Sequence, residues 1–262
     1  MFRYELKLAI RSKLIIFSLI IGILSGIPGI VSYYSDTKFM IAAGMPEAVS
    51  CYQAWLYALS LGSGAVYKIL VPLLIIPNLD SFFVERKNGY SNFVAARSDH
   101  KTYFFAKLFS GVLVSGLILT VVMVVWFCVC AIAFPHNVPV DSFTYIASDS
   151  FRELFVEKPI VYILIIIVLN ISFAIIFYSL GYGISYFCKN KYIVMVIPFL
   201  IYLSMTMLAS LLNFEILSPI SMVVPHEILG ASWNTIILKF IIMGCVSSFV
   251  VLFSFARSYQ EV

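Results

Sequence analysis

Charge is what this 262-residue chain has least of: Asp, Glu, Lys and Arg make up 11% of it, against 62% hydrophobic residues, and its mean hydropathy is +1.01. A soluble domain carries about 25% charged residues and roughly 45–50% apolar ones. Too few charged side chains are present to coat a water-soluble globule of this size. A soluble enzyme and an intrinsically disordered chain are both excluded. A second folded domain is excluded by the same shortage, so residues 1–262 read as one membrane domain. The basic excess, 17 Lys and Arg against 13 Asp and Glu, never gathers around a soluble motif, which argues against a nucleic-acid partner.

Catalytic and metal-binding sets are scarce as well. The three histidines, His100, His136 and His226, are far apart in sequence, and none lies mid-span. His226-Glu227-Ile228-Leu229-Gly230 starts like H-E-x-x-H but has Gly where the second ligand belongs. Gly111 and Gly116 have the glycine spacing of a phosphate loop, but Leu117 stands where its Lys must be. The chain therefore lacks that route to ATP, and an energised process needs a partner that hydrolyses the nucleotide. The five cysteines, Cys51, Cys128, Cys130, Cys188 and Cys245, contain no C-x-x-C pair and read as small apolar packing groups. No metal site, no cofactor and no enzyme activity of the chain itself are expected.

What is present is apolar length. A spanning helix needs about 20 mostly apolar residues, and six stretches qualify, near 14–33, 63–83, 108–134, 159–187, 192–212 and 234–255. The second is interrupted by Gly64, Lys68, Pro72 and Pro77, and the fourth and fifth are joined by a hairpin at Cys188-Lys189-Asn190-Lys191. Twelve of the 17 Lys and Arg fall on the side that holds both termini and the 84–107 loop. The excess of positive charge on inner loops makes that side cytoplasmic. Lys68 and Lys239 fall at span edges of the other side, where they can snorkel. The expected location is a bacterial cytoplasmic membrane.

The run from Leu14 is too long for a cleavable signal. Before it, Arg3, Lys7 and Arg11 recur every four residues beside an apolar stripe of Phe2, Leu6, Ala9 and Ile10. This spacing predicts an interfacial helix in the headgroup plane, with a frayed basic tail as the alternative. On the outer side, Val49, Tyr52, Leu56 and Leu59, with Trp55 and Tyr57 nearby, predict a short helix lying on the surface with its rings at the interface. Ser150-Phe151-Arg152-Glu153 fits a capping box that opens a second short outer helix.

The segment after the second span reads Asp80-Ser81-Phe82-Phe83-Val84-Glu85-Arg86-Lys87-Asn88-Gly89-Tyr90, then Ala95-Ala96-Arg97-Ser98, then Lys107. It resembles the permease subunits of type-2 ABC exporters. In that family the second span runs into a Glu, a Gly, a short helix, a small and polar patch with a basic residue, and a Lys opening the third span. Glu85, Gly89, Arg97 and Lys107 fall on that pattern. A Pro often found near the patch is missing here, which blurs the boundary of the coupling helix. The basic N-terminal helix, the Lys189-Asn190-Lys191 hairpin and Leu217-Ser218-Pro219-Ile220 before the last span agree with the family. The last of these is often a re-entrant pair of half-helices there.

The resemblance implies an all-α fold of six spans with a cytoplasmic coupling helix between spans two and three. It implies separate ABC ATPase subunits that hold ATP and Mg, and a second copy or a similar permease. It carries the coupling role to Glu85, Arg86, Gly89, Tyr90, Phe93 and Arg97. Independently of it, Phe93-Val94 and Tyr103-Phe104-Phe105 read as exposed apolar side chains among mixed charges, suited to docking in a partner's groove; the alternative is that these rings lie flat on the membrane interface. Ser18, Gly22 and Gly26, four residues apart, predict close helix approach. Whether that packing joins two subunits or lies within one stays open. Asn170 is the clearest polar residue deep in a span; it reads as a helix–helix hydrogen bond, with a polar contact along a substrate path as the alternative. The expected function is export of an amphipathic or hydrophobic cargo, a peptide, an antibiotic or a lipid-like molecule. Export of a lipid-linked glycan, and a non-transporting immunity or scaffold protein, are the competing readings.

Overall fold

Prolines, asparagines and small capping residues decide where the helices of this chain begin and end. The computed structural model describes residues 1–59, 65–89, 99–140, 146–147, 149–214, 217–228 and 231–260, and no strand occurs among them. A short helix, α1 (Phe2–Ile10), is followed by Ser12, whose extended backbone and side chain cap the Leu14 amide and open α2 (Lys13–Ala42). Thirty residues at about 1.5 Å each make a helix of roughly 45 Å, so α2 runs nine residues past the stretch read as the first span. It stops at Gly44, whose positive φ of 79° closes the end while Gly44 N–H donates to Ile41 O.

The interrupted stretch folds as two helices, α4 (Ala65–Leu74) and α5 (Leu79–Lys87). Pro77 lacks an N–H and its ring collides with the carbonyl four residues back, which ends a helix. Asn78 then takes a left-handed conformation, φ 71°. Ser115 Oγ donates to Ile75 O at 2.9 Å and so satisfies a carbonyl freed by the break. Asp99 accepts from Lys101 N–H and caps α6 (His100–Ala133), which begins eight residues before the predicted third span. α7 (Asp149–Glu157) leads into α8 (Pro159–Ser185), and Asn190 caps α9 (Lys191–Leu211) across the tight hairpin. The short α10 (Ile220–Val223), a turn at Pro225–Glu227 and α11 (Trp233–Gln260) complete the chain.

Among the described residues six helical stretches are long and apolar enough to cross a membrane: Lys13–Ala42, Val66–Lys87 (α4 and α5 together), His100–Ala133, Pro159–Ser185, Lys191–Leu211 and Trp233–Ser258. The chain is thus a multi-pass helical membrane protein. α8 lies centrally, packed on α6, α11, α9 and α5. One end of the bundle gathers α5, the start of α6, the end of α8 and the end of α11 around Phe82, Tyr103, Phe104 and Tyr182, and α1 packs on α6. We call this the α1 end.

Two short helices depart from expectation. α3 (Cys51–Leu59) does not lie on a surface: all nine of its residues are buried. Trp55 Nε1 donates to Met123 O of α6 at 3.1 Å, and Gln53 accepts from Tyr33 of α2. A Cβ at Gly29 of α2 would come within 2.0 Å of Tyr57 O, so glycine there admits the α3 backbone. Apart from Gln53 the helix is apolar on every side, which is the pattern of a buried helix. α7 begins at Asp149, so Ser150 lies inside the helix and not at its cap.

Candidate functional site

The α1 end holds a buried polar cluster contributed by three elements. Glu85 lies near the end of α5, beside the buried Phe82 and Phe83, and its side chain is 18% exposed. Tyr103 and Lys107 lie four apart on α6, hence on one face. Tyr103 Oη donates to Glu85 Oε2 at 2.5 Å, and Lys107 forms an ion pair with the same carboxylate oxygen. Glu5 of α1 approaches from the other side, with Oε2 3.7 Å from Lys107 Nζ. Lys107 and Glu5 are each 3% exposed. Burial pushes the Glu5 carboxyl above its ordinary value, against the pull of the Lys107 ammonium and with a further push from Glu85.

Arg86 stacks over the Tyr186 ring at 4.3 Å and donates from Nη1 to Tyr186 O at 2.7 Å, which ties α5 to the end of α8. Asn78 Nδ2 donates to Ala9 O at 3.2 Å, so the break in the second crossing also holds the end of α1. Gly89 has a φ of 71° with open space where a Cβ would stand, so backbone conformation and not crowding calls for glycine. Tyr90, Phe93 and Arg97 lie outside the described residues.

Other site expectations are redrawn here. Tyr103 and Phe104 are not loop rings offered to a partner: they are 1% and 0% exposed, inside α6, and Phe105 packs beside them. The Asp99 cap starts the helix early enough to bury them. Arg3 and Lys7 on α1, and Arg11 just after it, are exposed as a basic stripe. Its inward face is Glu5, Leu6 and Ala9, whereas Phe2 and Ile10 are 39% and 55% exposed. Glu5 was missed because a lone acid among three bases reads as a solvated charge; the signal was its i, i+4 spacing with Ala9. Ser18 is buried, and Gly22 and Gly26 face this chain's own α6: added Cβ atoms would meet Val122 at 2.6 Å and Trp126 at 2.4 Å. Trp126 Nε1 donates to Ile23 O across that contact.

Asn170 is fully buried and fully used. Its Nδ2 donates to Ile166 O at 2.9 Å and to Val223 O at 3.0 Å, and its Oδ1 accepts from Tyr67 at 3.0 Å. It joins α8, α10 and α4 as a structural node. Near it, at the end opposite α1, a cavity of about 230 Å³ is lined by Lys68, Thr206, Ser210, Ser218 and Glu227. Lys68 does not simply snorkel: its Nζ pairs with Glu227 Oε2 at 2.6 Å. Lys239 donates to Ser218 O and, at 2.5 Å, to Ser221 Oγ. Among the described residues no group of His, Cys, Asp and Glu could hold a metal ion.

The chain is therefore a multi-pass helical membrane protein with polar clusters at both ends of an apolar bundle. No family model, no curated protein and no solved structure matches it.

Proposed function

We infer that this chain is the membrane-spanning permease subunit of an ATP-driven exporter of the type-2 ABC kind. It works with separate ATPase subunits, which hold ATP and Mg, and with a second permease. The cargo is amphipathic or hydrophobic. The observation that carries this reading is that Glu85 and Lys107, two residues on which the family resemblance rests, meet in one buried cluster with Glu5 of α1. The segment between them, on the cytoplasmic side by charge, is the coupling element an ATPase would grip. A push on that segment would reach α5 through Glu85 and Arg86, α6 through Lys107, and α1 through Glu5. The spans then shift between two arrangements as nucleotide binding changes their relative stability. A re-entrant segment before the last span is consistent with the short α10 and the Pro225–Glu227 turn.

Gentle purification tests the reading. An ATP-hydrolysing subunit is expected to co-elute with the full chain. Glu85→Ala and Phe93→Asp are expected to lower its recovery several-fold while membrane insertion is kept. If association and ATP-driven export survive both substitutions, the coupling assignment is wrong.

A further inference from the structure

The last turns of α11 carry a stripe that neither the coupling reading nor the buried clusters use. Phe249, Phe253 and Arg257 follow one another at four-residue spacing, hence along one face of the helix. All three are exposed. The Phe249 and Phe253 rings lie 6.4 Å apart and 12° from parallel. Phe187, just past the end of α8, adds a third exposed ring, 5.8 Å from Phe253 and 20° from parallel to it. The Arg257 guanidinium stands over Phe187, 5.6 Å from its ring centre. Two helices thus build one strip of near-parallel rings with a cation at its head.

A single exposed ring on a crossing helix is ordinary; the order along the axis is what selects a ligand here. Phe249, Phe253 and Arg257 all lie in the stretch Trp233–Ser258, with the cation at its end and the rings deeper. Eight residues at about 1.5 Å each make the stripe roughly 12 Å long, most of the roughly 15 Å depth of one leaflet's hydrocarbon. Among the described residues Arg257 makes no hydrogen bond and no ion pair, so its N–H donors have no protein acceptor. Lys189 and Lys191, both exposed, follow Phe187 within four residues. Neither 186–192 nor 249–258 contains an acid. Asp99, next to the His100 that stacks on Phe255, is engaged as the cap of α6.

We propose that this strip binds an anionic phospholipid. Its phosphate sits on Arg257, whose planar fork of donors matches two phosphate oxygens, and Lys189 and Lys191 add positive charge at headgroup level. One acyl chain lies along Phe187, Phe253 and Phe249. A protein partner docking here would have to bring its own anion. A bilayer presents phosphates where a crossing ends, and its anionic lipids are drawn to basic groups there. The inference concerns this chain alone and stands whether or not an ATPase partner exists, and whichever way the α1 end faces.

The full chain, placed in nanodiscs of equal parts dioleoyl phosphatidylglycerol and dioleoyl phosphatidylcholine and then released into detergent, tests the proposal by native mass spectrometry of its retained lipids. Phosphatidylglycerol is expected to be retained over phosphatidylcholine by about fivefold, the factor for one basic group at an anionic surface. Arg257→Gln should erase most of that preference. Lys13→Gln, the same loss of charge at an exposed position opening α2, should leave it unchanged. Phe253→Ala should lower the number of phosphatidylglycerols retained although every charge is kept; if it does not purify, the more exposed Phe249→Ala takes its place. Equal retention of the two lipids by the unaltered chain overturns the proposal. So does a preference that Lys13→Gln weakens as much as Arg257→Gln, since the summed charge of the surface would then explain it. Full retention after the ring substitution removes the strip from the site and overturns it too. An Arg257→Gln protein that changes only the share of dimers would assign the face to a second copy of the chain, against the proposal.

Discussion

Asn170 shows how much one polar side chain can settle inside an apolar bundle. Both amide hydrogens and the amide oxygen are engaged, to Ile166, Val223 and Tyr67. Asn170→Ala would strand the buried Tyr67 hydroxyl and the Val223 carbonyl. Interhelical bonds in membranes are worth about 0.6–2 kcal/mol each, so a loss of about 1–3 kcal/mol is expected, seen as a lower Tm in detergent. An unchanged Tm would overturn the reading of Asn170 as a structural node. Its polarity and depth were readable from the sequence. Its partners were not, because Val223 lies 53 residues away and contributes only a backbone carbonyl that no residue type advertises. Gly22 and Gly26 make the same point: their spacing announces close approach, but only packing names Val122 and Trp126 as the surfaces approached.

At the scale of elements, α1 packs through a buried carboxyl group, Glu5, as well as through apolar contacts. Burial raises the Glu5 carboxyl, so the folded protein binds this proton more tightly than the unfolded chain does. Its contribution to stability is complete below the ordinary value of 4.5 and is lost as pH rises through the raised folded value. Hydrogen exchange of the α1 amides, corrected for intrinsic rates, is therefore expected to quicken as pH climbs above 4.5. Glu5→Gln should flatten that profile. A flat profile in the unaltered protein would sink the assignment. The second crossing carries a comparable lesson. Pro77 announces the break, but Ser115 from α6 and Asn78 reaching Ala9 decide that the break is satisfied and used to hold α1.

For the whole molecule, the question is which end faces the cytoplasm. The sequence puts twelve of the 17 basic residues on the side that holds both termini and the 84–107 loop, and such an excess predicts the inner side. In a variant whose five cysteines are replaced by alanine, a single cysteine at Lys189 is expected to resist a membrane-impermeant maleimide in intact cells. One at Ser150, an exposed residue of α7, should react at least tenfold faster. The reverse pattern would overturn the orientation and the coupling role with it.

The amino-acid order alone determined that this chain enters a membrane, how many times it can cross, and where its charge collects. Those properties follow from local length, apolarity and capping, which neighbouring residues carry together. Tertiary structure decided that α3 is buried, that Tyr103 and Phe104 face inward, that Glu5 meets Lys107, and that Lys68 meets Glu227. Each of these depends on a contact between distant segments whose surroundings, polar or apolar, exist only once the helices have packed.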